Sequence, residues 1–417
     1  MSHLKRWGPL ALAVVTLVVL GALHPNVRFV DFIAFCDRAR GLPAGLVDPL
    51  YPLGYVAALR ALTEALGNSL LAGRALSLLG GGLLIHVLSA RLGNIAAACV
   101  GVTLGFLAWG STEGTDMLAA ALAISAVLQK DWKAGALLGA ALMVRYSALA
   151  AVPVVLLSRD WKRWLALVVC TAPHWAVALM TGEPLLPDQS ANLQIGAQGA
   201  APLVSMDTLR RFPMGLWLAF RHMEPVAWVG ALGLLIGCRS DPRARKLLAF
   251  GVLHLALLAV VFSRPRLALP ATLAMACGGS WLLRWRWSPV VLVLPLAINL
   301  RIAWLPVPQE LTITPAVNAA AHLEGTFLSS NPWFHGWDHG WVTRARSLRE
   351  AGPPPTVTPD TLSVYAKDHG IDHIVLDGGR VMATWPRLEP MLKGQDIDGL
   401  ERIDIDAPGW RVYRVVR

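Results

Sequence analysis

Apolar blocks without a charged residue recur along the first three quarters of the chain, at 7–27, 92–112, 164–182, 247–263 and 267–283. A helix needs about 20 apolar residues to cross a bilayer, with about 17 as the lower limit. None of these blocks alternates with the period of two that marks a half-buried strand. The pattern predicts an α-helical polytopic membrane protein. Basic clusters fall between the blocks: Lys5-Arg6, 130–133, 159–163, 239–246 and 284–286. Lys and Arg favour cytoplasmic loops, so these clusters set the orientation.

Span one (about 7–24) starts inside and is read as uncleaved, because it is long and lacks a small-x-small cleavage site. An outer loop, 25–66, follows with two short interfacial helices at 30–40 and 50–66. Span two (70–89) returns to Arg91, span three (93–110) goes out, and STEGTD (111–116) is an outer turn. Span four (116–129) returns to Lys130. As one helix, 134–157 would bury Arg145 at mid-membrane, at a cost of roughly 2.5–3.5 kcal/mol. Two short helices broken at Arg145-Tyr146 lift the arginine to the outer surface instead. Spans at 164–181, 217–238, 247–262, 267–283 and 288–304 complete a set of about eleven, with the C-terminus outside.

Near residue 306 the pattern changes. GTFLSS (325–330), HIVLD (373–377) and WRVYRVV (410–416) read as strands; PAVNAAAHLEG and a capped PDTLSVYAKDHG read as helices. The expected organisation is a transmembrane domain, 1–305, and a small α/β extracytoplasmic domain, 306–417.

Composition agrees. The chain is 55% hydrophobic and 15% charged, with a mean hydropathy of +0.51. A net charge of +10 would suggest nucleic acid in a soluble protein; here it is mostly an orientation signal, and no basic and aromatic interleaving suits nucleic acid. Of the five cysteines, all but Cys36 lie within or at the end of apolar runs, so no disulfide framework is implied.

The outer face collects Asp31, Asp37, Asp48, Glu113, Asp116, Arg145, Glu183, Asp188, Arg264 and Arg266. Carboxylates and arginines meeting beside hydrocarbon is the chemistry needed to split a lipid-phosphate sugar. A carboxylate takes the proton of an attacking hydroxyl, and a guanidinium matches phosphate oxygens. On a helix from Val30, Asp31, Phe35 and Arg38 share one face. Asp31 also suits a helix N-cap. Asp37, beside Arg38 and Arg40, fits a solvated salt-bridge face, and Tyr51 and Tyr55 fit interfacial anchoring. In NPWFHGWDHGW (331–341), His335 and His339 have the spacing of a metal pair on a helix, but Gly336 and Gly340 favour a loop without a third ligand. His86 and His174 read as hydrogen-bonded residues between helices, His24 as a residue near the outer interface, and LGGGLL (79–84) as close helix packing.

VDFIAFCDRARGL, DPLYPLGY, GRALSLLGG, STEGTD, GALLGAALMVRYSALAAVP and SRPRLALPA, in this order after a first span, resemble the GT-C glycosyltransferases. The likeness runs to the branch holding protein O-mannosyltransferases, the lipid A aminoarabinose transferase and the RgtA/B/C/D-like enzymes. It implies a glycosyltransferase that moves a sugar, usually with inversion, from a polyprenyl-phosphate donor to a lipid, glycan or protein acceptor. The reaction would occur at the outer face of a bacterial inner membrane. By position, Asp31 matches the catalytic base and Asp116 the second acidic position, with Glu113 just before it. Arg74, Arg145 and Arg266 match donor-phosphate ligands; Asp37, Tyr51, Tyr55, Glu113 and Tyr146 fall in the pocket. Phe32 stands where several members carry a second acid, and Leu267 where a tyrosine is usual. No clear ligand set supports a divalent metal. A lipid-linked-sugar transporter, or an inactive binding relative of the same fold, are the alternatives.

Overall fold

The computed structural model describes residues 2–24, 28, 32, 35–36, 38–39, 42, 52–157, 160–181, 206–260, 265–283, 288–306, 308–320, 322–331, 345–353 and 356–416. They form two compact units. The first comprises Met1–Leu23, Arg38–Ala65 and Leu71–Leu305; the second His24–Asp37, Leu66–Leu70 and Pro306–Arg417.

The first unit is helical. Its elements are α1 (Ser2–Leu23), α2 (Leu53–Leu66), α3 (Ser69–Arg91), α4 (Asn94–Gly101), α5 (Leu104–Gly110), α6 (Asp116–Leu128) and α7 (Asp131–Val144). A 3-10 turn, Tyr146–Ala151, leads into α8 (Val152–Leu156). Then come α9 (Trp161–Thr181), α10 (Met206–Arg221), α11 (Pro225–Gly237), α12 (Pro242–Val260), α13 (Leu269–Ala276), α14 (Gly279–Leu282) and α15 (Ser288–Trp304). Among the described residues two helices, Ser69–Arg91 and Trp161–Met180, are long and apolar enough to cross a membrane alone.

Several other helices are short because they break inside the unit. Arg145 adopts an extended backbone (φ −159°, ψ 130°) and closes α7 through its N–H to the Ala141 carbonyl at 2.8 Å, which divides 134–157 as the arginine's desolvation cost requires. The block expected at 217–238 begins earlier, at Met206, and breaks at residues 222–224, where Pro225 starts a new helix.

The core is made of small residues along α6 and α13 (Ala120, Ala121, Ala271, Ala274) and of larger ones such as Ile124, Leu138 and Phe250. Small side chains let helices approach closely where apolar attraction cannot distinguish protein from lipid. At Gly80, in the glycine cluster of α3, a Cβ would stand 2.7 Å from Leu118 Cα. Exposed Val15, Val168, Val229, Leu232 and Val293 cover the outside.

The unit has two polar ends. Arg91, Gln129, Lys130, Arg163, Arg243 and Lys246 gather at one. There the Arg91 guanidinium meets the Gln129 amide, Arg243 donates to the Arg91 carbonyl at 2.5 Å, and Lys246 lies within electrostatic reach of Arg163 and Lys130. Gly21, Arg74, STEGTD and Arg145 mark the other, about 20 Å away along the 13 residues of α6.

The second unit carries α16 (Pro308–Ala320) and a five-stranded sheet of order β2-β1-β3-β5-β4. Its strands are β1 (Phe327–Ser329), β2 (Ala345–Ser347), β3 (His373–Asp377), β4 (Leu400–Ile403) and β5 (Trp410–Val415). β1 pairs in parallel with β2 and β3, and β5 antiparallel with β3 and β4. The helix α17 (Pro359–Asp368) opens on Thr358, whose side chain accepts from the Thr361 N–H in a capping box, with Pro359 in the first turn. Leu328, Leu362, Ile374, Leu376 and Tyr413 form its core.

His373, buried in β3 and stacked on Phe327, gives a pH prediction. Burial holds its imidazole below the usual histidine range; Asp372 opposes this, while Arg414 and His322 add to it. The unfolded chain then binds the extra proton as pH falls through about 6.5, so stability is lost on acidification. Protection of the β1 and β3 amides, corrected for intrinsic exchange rates, is expected to fall between pH 7.5 and 5. His373→Phe keeps the stack and removes the dependence.

Candidate functional site

STEGTD joins α5 to α6, and its polar composition reads as an exposed outer turn. The structure buries it: Ser111, Thr112, Glu113, Thr115 and Asp116 are each at most 5% exposed. The turn survives burial because its groups are paired. Ser111 Oγ donates to the Leu107 carbonyl (2.7 Å), Thr112 Oγ1 to Ala108 (2.9 Å), and Ser77 Oγ, from α3, to Gly114 (3.3 Å). Gly114 supplies the positive φ (142°) that lets the chain turn here.

Two arginines flank this turn. Arg74, one turn into α3, donates through Nη1 to the Gly21 carbonyl at the end of α1 (3.1 Å), and its Nε lies 3.5 Å from Glu113 Oε2. Arg145, at the α7 break, places Nη1 2.6 Å from Thr115 Oγ1 and 2.9 Å from Asp116 Oδ1. Its Nε and Nη2 make no hydrogen bond among the described residues. Asp116 occupies the first turn of α6, where the helix dipole favours a carboxylate. Its Oδ2 is buried and has no hydrogen-bond partner among the described residues. The pair therefore presents one vacant acceptor oxygen beside a guanidinium with donors to spare.

Around this pair the neighbouring elements are tied together. Tyr146 Oη is 3.1 Å from His174 Nε2 on α9. His254 on α12 donates from Nε2 to the Leu267 carbonyl at 2.8 Å. That histidine thus ties α12 to the turn carrying Arg266 (265–268). At Gly54 a Cβ would stand 2.7 Å from Met143 Cβ, so α2 packs against the last turn of α7. Tyr55, next to Gly54, is fully buried (0% exposed) rather than anchored at an interface.

The structure thus unites Asp116 with Arg145 and Tyr146, and joins Glu113 to Arg74. Arg266 is half-buried on its own turn. Asp31, Asp37, Tyr51, Asp48, Glu183, Asp188, Arg264 and 332–341 lie outside the described residues. Phe32, which follows Asp31 in the chain, is buried at 1% exposed. His86 stacks on Trp7 at 5.5 Å. Sequence reasoning missed Thr115, His254 and Glu224. A lone ionisable residue inside an apolar run was the available signal for the last two. No three His, Cys, Asp or Glu side chains converge as a metal site among the described residues.

No protein-family model and no curated protein sequence matches the chain. Solved structures do, and two of them align over nearly the whole chain. ArnT from Cupriavidus metallidurans bound to undecaprenyl phosphate aligns over 97% of this chain and 97% of its own, at 14% identity and a TM-score of 0.57. The same protein in its apo state aligns over 97% and 96%, at 15% identity and a TM-score of 0.54. The chain has the fold of ArnT; at these identities the likeness extends to the fold alone.

Proposed function

We propose that this chain is an integral-membrane glycosyltransferase that takes a sugar from a polyprenyl-phosphate carrier and passes it to a hydroxyl of a lipid, glycan or protein acceptor. The observation that carries the reading is the buried Asp116–Arg145 pair, with its vacant carboxylate oxygen, at one end of a fold shared with a protein that binds undecaprenyl phosphate. The basic end, with Arg91, Lys130 and Arg243, is assigned to the cytoplasm. The STEGTD end then faces the periplasm, and the 306–417 domain lies on that side of a bacterial inner membrane.

In this reading the acceptor oxygen attacks the anomeric carbon. The bond from that carbon to the phosphate oxygen breaks, the phosphate keeps the electron pair, and the acceptor proton passes to the Asp31 carboxylate. Arg145 steadies the charge growing on the phosphate, with Arg266 beside it, while Asp116 orients a substrate hydroxyl through Oδ2. Arg74 holds α1 to the turn and acts as a positioning residue, with Glu113 as its partner. Asp37, Tyr51, Tyr55 and Tyr146 shape the surroundings.

The test is transfer in membranes from a panel of labelled polyprenyl-phosphate sugars, with label counted in lipid, glycan and protein fractions. Wild type is expected to turn over, and Asp31→Asn to lose activity by orders of magnitude with donor binding kept. Movement of the lipid-linked sugar between leaflets without transfer would support a transporter; donor binding with neither activity would support an inactive relative.

A further inference from the structure

An apolar groove of about 560 Å³ runs along the helical unit between α1, α4–α5 and α15. Leu12, Ala98, Gly101, Val293 and Leu296 line it, with Asn94 at one end. It spans Gly8 to Thr16 on α1 and Leu292 to Leu300 on α15, about 12 Å of each helix. Alanine and glycine on α4 create the space, since larger side chains there would fill it.

Water does not suit this groove. An enclosed water needs two to four polar partners, and the walls offer few: Thr16 spends its hydroxyl on the Leu12 carbonyl of its own helix (2.8 Å). Hydrocarbon does suit it, and the ends give the hydrocarbon a direction. Gly21, at the far end of α1, meets Arg74 beside STEGTD, so the Gly8 end of the groove belongs to the basic end of the unit. Arg91 ends α3 three residues before Asn94, and the Arg243 guanidinium sits on the Arg91 carbonyl. Both side chains are exposed. In the sequence, Lys5-Arg6 precedes Gly8 and Arg284-Trp-Arg286 precedes α15. Trp7, stacked on His86 and 45% exposed, marks the level of an interface.

We infer that this groove holds one acyl chain of an anionic phospholipid from the leaflet at the basic end, with the lipid phosphate drawn to Arg91 and Arg243. The site is separate from the transfer chemistry and binds a lipid from the opposite leaflet to the proposed donor. Basic residues at a membrane surface attract anionic headgroups, and the groove adds the chain contact that converts attraction into retention.

The experiment reconstitutes the full chain in vesicles of phosphatidylglycerol and phosphatidylethanolamine in equal amounts, extracts it mildly, and weighs the bound lipid by native mass spectrometry. Wild type is expected to keep one phospholipid, with phosphatidylglycerol favoured about thirtyfold from two surface arginines. Val293→Trp and Ala98→Phe, on opposite walls, should each cut retention several-fold. Val293 is 61% exposed, so its replacement leaves the core intact, and an unchanged thermal midpoint verifies this. Arg91→Gln with Arg243→Gln should keep a lipid but lose the preference. Equal retention in wild type and both groove variants would overturn the inference. So would retention of both phospholipids without preference by wild type. Transfer assays on Val293→Trp separate this site from the proposed activity, which the variant should leave unchanged.

Discussion

Arg145→Gln is expected to destabilise the helical unit by about 3 kcal/mol and to slow the proposed sugar transfer by roughly 10²–10³, while the double variant Asp116→Asn/Arg145→Gln recovers the stability and not the activity. The asymmetry follows from burial. The Asp116 side chain is 4% exposed and that of Arg145 21%, with 2.9 Å between them. Removing one partner of such a pair strands a charge in low dielectric, which costs about 3–5 kcal/mol; the partial exposure of Arg145 points to the lower bound. Neutralising both leaves a carboxamide at each position, and the two amides can hydrogen-bond, so most of the loss returns. Transfer behaves differently if, as proposed, it needs the guanidinium itself. Removing one donor to a developing negative charge lowers rate by roughly 10²–10³, and no change at residue 116 restores that donor. Unfolding in mixed micelles and transfer in membranes measure the two effects separately. If the two single losses simply add in the double variant, the pair is not coupled. If the double variant regains transfer, Arg145 serves the fold alone.

The parts of this site that the sequence made visible are those where one residue faces a large cost. Arg145 could not remain inside a continuous apolar helix, so its break was legible from composition and charge. Thr358 and Pro359 announced α17 in the same way, by local chemistry. The burial of STEGTD was not legible. Five polar residues around a glycine look like an exposed turn, and what reverses the reading is distant: Arg74 and Ser77 from α3, and Arg145 from the end of α7, supply the partners. The same holds for Tyr55, whose burial depends on the close approach of α2 to α7 at Gly54. β2 and β4 escaped because ARS and LERI carry charged residues and lack the adjacent apolar pair that marks β1. The start of α10 escaped because Arg210 and Arg211 make its first turns look like loop. The apolar run read as a span, 217–238, therefore covers only the end of α10 together with α11.

That misread segment ends at Glu224, and Glu224→Leu is expected to cost about 3 kcal/mol or more. Its carboxylate accepts from the Leu104 N–H through Oε2 and from the Gly105 N–H through Oε1, both at 2.6 Å. These are two of the free donors that open α5, inside the apolar part of the unit, where water cannot replace a lost partner. The carbonyl on the other side of the same break, Val102, accepts from Asn299 Nδ2 at 2.7 Å. One broken span is therefore capped by the break in another, and by a polar side chain from α15. Hydrogen bonds to a charged group contribute about 1.5–3 kcal/mol each, and leucine loses both. Glutamine keeps one oxygen and turns an N–H donor toward the second amide, so Glu224→Gln should fall about midway. Unfolding midpoints in mixed micelles are expected to follow the order wild type, Gln, Leu, with transfer per folded molecule preserved in Glu224→Gln because the carboxylate stands away from the Asp116–Arg145 end. A leucine variant as stable as wild type would mean that the α4–α5 break satisfies its backbone without Glu224. A glutamine variant that folds fully but no longer transfers would instead draw this carboxylate into the mechanism.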